Sequence, residues 1–201
     1  MPLDTLYPTP IYYSQVENFD AIQTEVESVV NQTNFGTVSD WGAPHQLSDP
    51  TFEKNVLNDN NMTSLTSEIH SHIRKYLEGL TFQHSSNYRG GATYNIVSSW
   101  ISRFGKGEYA HVHSHGHHEI SGVYYHQVTE EQGNFFFECP TPQLTSSFLY
   151  NHLSYSTRIS PVKGLLLLFP GYLYHGVYAN NTDDDRISLS FNVSFQKPYF
   201  S

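Results

Sequence analysis

The chain reads as a mainly β protein, a sandwich or barrel with two helices packed against it from the N-terminal side. Three observations predict this. Helical periodicity is confined to the first part, where Phe19, Ile22, Val26 and Val29 form one stripe and Met62, Leu65, Ile69, Ile73, Tyr76, Leu77 and Leu80 another. From Tyr94 onward the pattern becomes one of short apolar runs separated by Gly-, Pro- and Asn-rich breaks. The third is aromatic content: 15 Tyr and 13 Phe in 201 residues, side chains that fit a pleated, half-buried surface.

In chain order, Leu3–Tyr13 is an extended opening punctuated by Pro8 and Pro10, which suits an edge strand. Asn18 or Asp20 can cap the first helix. Between Asn31 and Asn60 periodicity is lost, and Trp41, Gly42, Pro44, Asp49 and Pro50 mark a loop long enough to be a lid or a substrate-binding segment. The second helix spans about Met62–Leu80 and should end near Gly79, with His70 and His72 on a polar face. Strands are predicted over Tyr94–Arg103, Ile120–Val128, Gly133–Glu138, Lys163–Phe169, Leu173–Tyr178 and Arg186–Gln196. The unbroken run Leu165–Leu168 implies a strand buried on both faces. Pro140–Ser160 is polar and reads as a long loop or loose hairpin. One domain over 1–201 is expected, with helical support at about 18–80 and a barrel core at about 92–198.

Bulk properties narrow the function. A net charge of −9 argues against non-specific nucleic-acid binding, which demands clustered Lys and Arg. The single cysteine, Cys139, cannot form an internal disulfide and reads as a small buried hydrophobe. No apolar run approaches membrane-spanning length, and the opening lacks the basic start and apolar core of a signal peptide, so a soluble cytoplasmic protein is expected.

The chemistry concentrates in GEYAHVHSHGHHEISGVYY, Gly107–Tyr125. Histidines at i and i+2 on an extended segment project to the same side. A third, His175, from a distant strand could then close one face of a metal ion. The run offers His111, His113, His115, His117 and His118, so the residues alone leave the register open.

The blocks LYPTPIYY, SSWISRFGKGEYAHVHSHGHHEISGVYYH and PVKGLLLLFPGYLYHGVYANNTDDDRISLSFN resemble the 2-oxoglutarate/iron(II)-dependent oxygenases frequent in cyanophages and marine bacteria. The resemblance implies a double-stranded β-helix (a jelly-roll, cupin-like barrel) with the two helices as buttresses. It places the metal on His113, His115 and His175, and aligns Arg186, Ser188 and Asn192 with a distal motif. Arg186 and Ser188 would hold the remote carboxylate of 2-oxoglutarate, joined by Tyr125 or, since strand parity does not choose, Tyr124. The implied activity is a dioxygenase using Fe(II), 2-oxoglutarate and O2 to hydroxylate a substrate through a ferryl intermediate. The host cytoplasm is implied if the chain is phage-encoded. The substrate would be a small molecule or a peptide, shaped by the loops at 31–60 and 139–160; neither these loops nor any other segment specifies an oligomeric state.

The chain departs from that family in carrying His115 where many members have Asp or Glu, which leaves three neutral ligands around the metal. Gly107, His113, His115 and Glu119, then Gly164, Pro170 and His175, also resemble the cupin pattern, in which Glu119 would be a fourth ligand. Tyr172 and His126 stand where cupins have Gly, and Asn180 sits one residue late. The alternatives are therefore a cupin-type metalloenzyme that does not use 2-oxoglutarate, or a non-catalytic metal-binding or virion-associated protein of the same fold. For Arg186 the alternative is a surface charge at a turn, paired with Asp183, Asp184 or Asp185.

Overall fold

In a computed structural model of the chain, residues 9–38, 42–51, 53–83, 93–149, 151 and 156–196 are described. The N-terminal part comprises β1 (Tyr12–Gln15), α1 (Phe19–Val30), β2 (Gly36–Thr37), β3 (Gln46–Leu47), α2 (Val56–Asp59) and α3 (Thr63–Gln83). The β-rich part follows with β4 (Tyr94–Phe104), β5 (Ala110–His113), β6 (Ile120–Gln127), β7 (Phe135–Phe137) and β8 (Thr157–Ile159). It closes with β9 (Leu165–Pro170), β10 (His175–Val177) and β11 (Arg186–Phe195). A major sheet runs β1-β9-β6-β11-β4-β3-β2 and a minor sheet β5-β10-β7-β8. This is the jelly-roll arrangement expected.

Strand alternation sorts side chains into two cores. One face of the major sheet sends Tyr124, Leu166, Leu168, Leu189, Phe191 and Val193 against Ile22, Val26, Leu65, Ile69 and Ile73 of the helices. The opposite face sends Phe104, Tyr125, Leu165, Leu167 and Phe169 against Phe135, Phe137 and Val177 of the minor sheet. The leucine run therefore divides its members between both cores, as its composition requires, because β9 lies inside the sheet between β1 and β6. Full burial of each Leu stabilises by roughly 1.5–3 kcal/mol.

Several expectations need correction. The opening strand is an edge strand but begins at Tyr12 and runs to Gln15; residues 3–8 of its expected span lie outside the described residues. The segment 31–60 is not a plain loop: β2 and β3 extend the major sheet beyond β4, and α2 is capped by the Asn55 side chain. Two-residue strands leave no periodicity to read. Trp41 lies outside the described residues, as do position 92 and positions 197–198 at the expected barrel limits. Helix α3 continues past Gly79 to Gln83, since packing of Leu77 and Leu80 against the core offsets a glycine cost of about 1 kcal/mol. His72 is not on a polar face: it is fully buried, bonded to the Tyr12 hydroxyl (2.6 Å) and the Glu68 carboxylate (3.0 Å). The polar stretch 140–160 contains a 3-10 turn (Pro142–Ser146) and β8, with residues 150 and 152–155 of it outside the described residues. Cys139 is half-exposed rather than buried. Among the described residues no helix is long and apolar enough to cross a membrane.

Candidate metal centre

His113 ends β5 and faces His175, the first residue of β10, directly across the ladder. His115 lies beyond the end of β5, so alternation along a strand does not by itself orient it. Its amide donates to the Gly171 carbonyl at 2.8 Å. Gly171 has room for this clasp because it lacks a Cβ, which would sit 2.1 Å from the His118 carbonyl oxygen. The three rings then meet, with centroids 4.4 Å (His113–His175), 5.1 Å (His115–His175) and 5.2 Å (His113–His115) apart. One ligand nitrogen from each lies within 4.8 Å of the others.

The hydrogen bonds behind the rings fix which nitrogen faces inward. His113 Nδ1 meets the His111 carbonyl at 2.8 Å, and His175 Nδ1 meets the Leu173 carbonyl at 2.8 Å. His115 Nδ1 meets Asn192 Oδ1 at 2.6 Å. Each partner can only accept, so each Nδ1 carries the proton and each Nε2 keeps a lone pair. Metal-binding imidazoles are oriented in this way. Asn192 is itself held, accepting from the Ser121 hydroxyl (2.8 Å) and donating to Ser98 Oγ (3.1 Å). Burial, with the neighbouring His113, pushes His115 down to about 4, and burial also lowers His113 and carries His175 well below its ordinary value. The triad is neutral at pH 7, as ligation requires. Trp100 stacks on His115 (5.6 Å, 18°) and Phe135 on His175 (5.3 Å, 14°).

The remaining candidates of the run lie elsewhere. His111 is exposed and meets the Gly42 carbonyl (3.2 Å). His117 and His118 pack against each other with tilted rings (4.0 Å, 48°), and His118 bonds Ser194. Glu119 is exposed and accepts from the Phe195 amide at 3.1 Å. It does not join the converging group, which removes the fourth ligand of the cupin pattern.

Deeper in the same cavity sits Arg186, 1% exposed. Its Nη1 donates to the carbonyls of Gln132 (3.2 Å) and Gly133, and its guanidinium lies over the rings of Phe104 and Tyr125, 5.4 Å from each centroid. A φ of +78° at Gly133 belongs to the left-handed region that favours glycine. The surface-pairing alternative for Arg186 fails, because Asp185 pairs with Arg103 and Asp183 with Lys106. Ser188 lines the cavity and stands opposite Tyr125 in the β11–β6 register. Tyr124, one residue earlier, faces the helices, where its hydroxyl accepts from Gln23 (2.6 Å). The Tyr125 hydroxyl and Arg186 Nε are buried without a hydrogen-bond partner. Burial pushes Tyr125 up to about 12 despite the adjacent Arg186, so this pocket holds a neutral donor beside a cation.

Residues 98–192 match the family described as "Putative 2OG-Fe(II) oxygenase". The matched segment runs from Ser98 to Asn192, the two residues joined by the hydrogen bond behind His115. Comparison with curated proteins by sequence gives no match. Similar solved structures include a Pseudomonas putida prolyl-4-hydroxylase, with a TM-score of 0.59 and 11% identity over 92% of each chain. The epimerase SnoN from nogalamycin biosynthesis gives a TM-score of 0.66 and 11% identity over 92% of this chain and 77% of its own. HygX from Streptomyces hygroscopicus, solved with nickel and 2-oxoglutarate bound, gives 0.60 and 12% over 96% and 84%. At such identities the likeness speaks for the fold.

Within the matched segment, and well upstream of it, the structure adds residues that sequence reasoning missed. Trp100, Ser102 and Phe104 alternate along β4 and line the cavity, a period-two signal present in SSWISRF. His45 has no such signal. It reaches the cavity from the 31–60 segment, stacks on Phe104 (4.6 Å, 11°) and meets the Tyr109 carbonyl (3.1 Å).

Proposed function

We propose that the chain is a non-haem iron(II), 2-oxoglutarate-dependent oxygenase, folded as one domain over 1–201. The observation that carries the reading is the pairing of two features in one cavity. One is a triad with all three Nδ1 protons engaged behind it. The other is a buried arginine whose Nε, like the neighbouring Tyr125 hydroxyl, has no acceptor beyond that neighbour. A purely structural metal site has no use for the second. Leaving such groups unpaired costs free energy that a bound carboxylate would recover.

His113, His115 and His175 would hold the iron through Nε2. Arg186, Tyr125 and Ser188 would hold the distal carboxylate of 2-oxoglutarate, the guanidinium through the fork geometry suited to carboxylates. The bound iron and co-substrate supply the oxidising chemistry that uses O2 to hydroxylate a substrate C–H. Trp100 and Phe135 flank the ligand rings of His115 and His175 and help to orient them. The match over 98–192 and the fold shared with HygX, which binds nickel and 2-oxoglutarate, support the reading. The substrate is a small molecule or a peptide, not nucleic acid held non-specifically, and the protein works in the cytoplasm, that of the host if the chain is phage-encoded.

Anaerobic titration with iron(II) and then 2-oxoglutarate should develop the charge-transfer band of the chelate, and oxygen should yield succinate. Neither signal appearing would reject the reading. Arg186→Ala should leave iron binding intact and raise the 2-oxoglutarate requirement at least about tenfold, as loss of a charged hydrogen bond worth roughly 1.5–3 kcal/mol implies. Arg186→Lys should recover part of it.

A further inference from the structure

A cleft of about 560 Å³ opens beside His113 and His115, lined by Trp100 and Val97 on its apolar side. Its polar groups are lopsided. Among the described residues the one carboxylate on its wall, Asp49, is fully engaged. Asp49 accepts from the Thr51 amide (3.1 Å), the Thr51 hydroxyl (2.6 Å) and the Lys54 amide (2.7 Å), and from the Glu53 amide as well. Those donors fill the lone pairs a carboxylate offers. Asn192 Oδ1 is likewise taken by His115 and Ser121. Ser99 Oγ is engaged on both sides, donating to Asn55 and accepting from the Leu57 amide.

The donors, in contrast, are uncommitted. Ser98 Oγ accepts from Asn192 and keeps its own proton to give. Ser114 lines the same wall, and its hydroxyl makes no hydrogen bond among the described residues. Lys54 is exposed at the cleft, and its ammonium is in no ion pair among the described residues. The Asp49 turn fixes its position by holding its amide. With its carboxylate already satisfied, two hydroxyls able to donate and an unpaired ammonium, this wall suits an anionic ligand and offers an amine no free carboxylate to pair with.

We infer that the substrate carries an anionic group, carboxylate or phosphate, on an apolar or aromatic body: the body lies along Trp100 and Val97, and the anion meets Lys54. This deepens the oxygenase reading and rests on it for the word substrate, while the binding itself can be measured without iron or 2-oxoglutarate.

The test uses Trp41→Phe protein free of metal, in which Trp100 is the remaining tryptophan. Its fluorescence is followed on titration with phenyl phosphate, phenylacetate, phenethylamine and inorganic phosphate. Binding of phenyl phosphate or phenylacetate at least about tenfold tighter than phenethylamine is expected, and which of the two binds better identifies the anion. Inorganic phosphate, lacking the body, should bind more weakly than phenyl phosphate. Lys54→Glu should weaken the anions at least about tenfold and shift the preference toward phenethylamine. Lys75→Glu, which changes net charge equally outside the cleft, should do neither. Equal binding of cation and anion, no binding of any probe, or anion binding indifferent to Lys54→Glu would overturn the inference. Failure of succinate production with these binding results intact would reject the oxygenase reading instead and leave an anion-binding cleft.

Discussion

Strand β6 carries two adjacent tyrosines, Tyr124 and Tyr125, that meet opposite surroundings. Both are fully buried, and burial pushes both up to about 12. Tyr124 faces the helices with its hydroxyl engaged by Gln23, among Leu189, Phe191 and Val193. Tyr125 faces the barrel interior with its hydroxyl unpaired, beside Arg186 and Ser188. The outer tyrosine hydroxyl has its partner; the inner one sits among donors without acceptors. Stability is therefore built on one side of β6 and β11 and binding capacity on the other, one residue apart.

The strongest way to break this comparison is to cut into the outer face. Leu189→Ala should destabilise the protein by about 2–5 kcal/mol, as deletion from a packed core does, while the folded fraction keeps its 2-oxoglutarate affinity. Denaturant unfolding and titration measure the two effects, and a loss of affinity matching the loss of stability would show that the faces are not separate.

The inner face should also mark itself through pH. His45 and His115 are each brought down to about 4, chiefly by burial. The folded metal-free protein thus resists protonation that the unfolded chain accepts at its ordinary value near 6.5. Stability should be independent of these groups above about pH 6.5. It should fall between there and about pH 4 by up to about 1.4 kcal/mol per pH unit for each linked group, and level off below. Unfolding curves at several pH values test this, a flat profile being the contrary result.

Smaller effects separate the tyrosines themselves. Tyr124→Phe should cost roughly 0.5–1.5 kcal/mol of stability through the lost Gln23 bond and leave 2-oxoglutarate binding alone. Tyr125→Phe should do the reverse, weakening 2-oxoglutarate several-fold with no loss of stability. A shared outcome would mean the hydroxyls do not divide the work. The smallest change expected lies in the buttress: Gly79→Ala on α3, where an added Cβ meets nothing within 4 Å, should stabilise by about 0.5–1 kcal/mol.

How much of this was legible in the sequence follows from the range of the forces involved. The strands around Tyr94–Phe104, Ile120–Gln127, Leu165–Pro170 and Arg186–Phe195 are long enough to show alternation or continuous apolarity, and they were readable. Strands β2, β3 and β8, two or three residues each, exist because a neighbour offers a ladder edge, which no local pattern records. The triad was found through the resemblance, but the reason His115 turns inward is the Gly171 clasp, a contact between distant segments. Tyr124 and Tyr125 could not be told apart by parity, because the choice depends on Ser188 standing opposite Tyr125 across a register irregularity at Ile187/Ser188. His45 had no period at all to reveal it.

A single turn steers two of the three imidazoles. Between β9 and β10, the Gly171 carbonyl holds the backbone of His115 and the Leu173 carbonyl holds the ring of His175, although the two histidines lie 60 positions apart in the chain (175 − 115). During synthesis the His113/His115 pair leaves the ribosome long before that turn exists, and until then it has neither its third partner nor the clasp that aims it. The convergence of the three rings thus arrives only with the docking of the β9–β10 turn, and a nascent chain has no more than the His113/His115 pair.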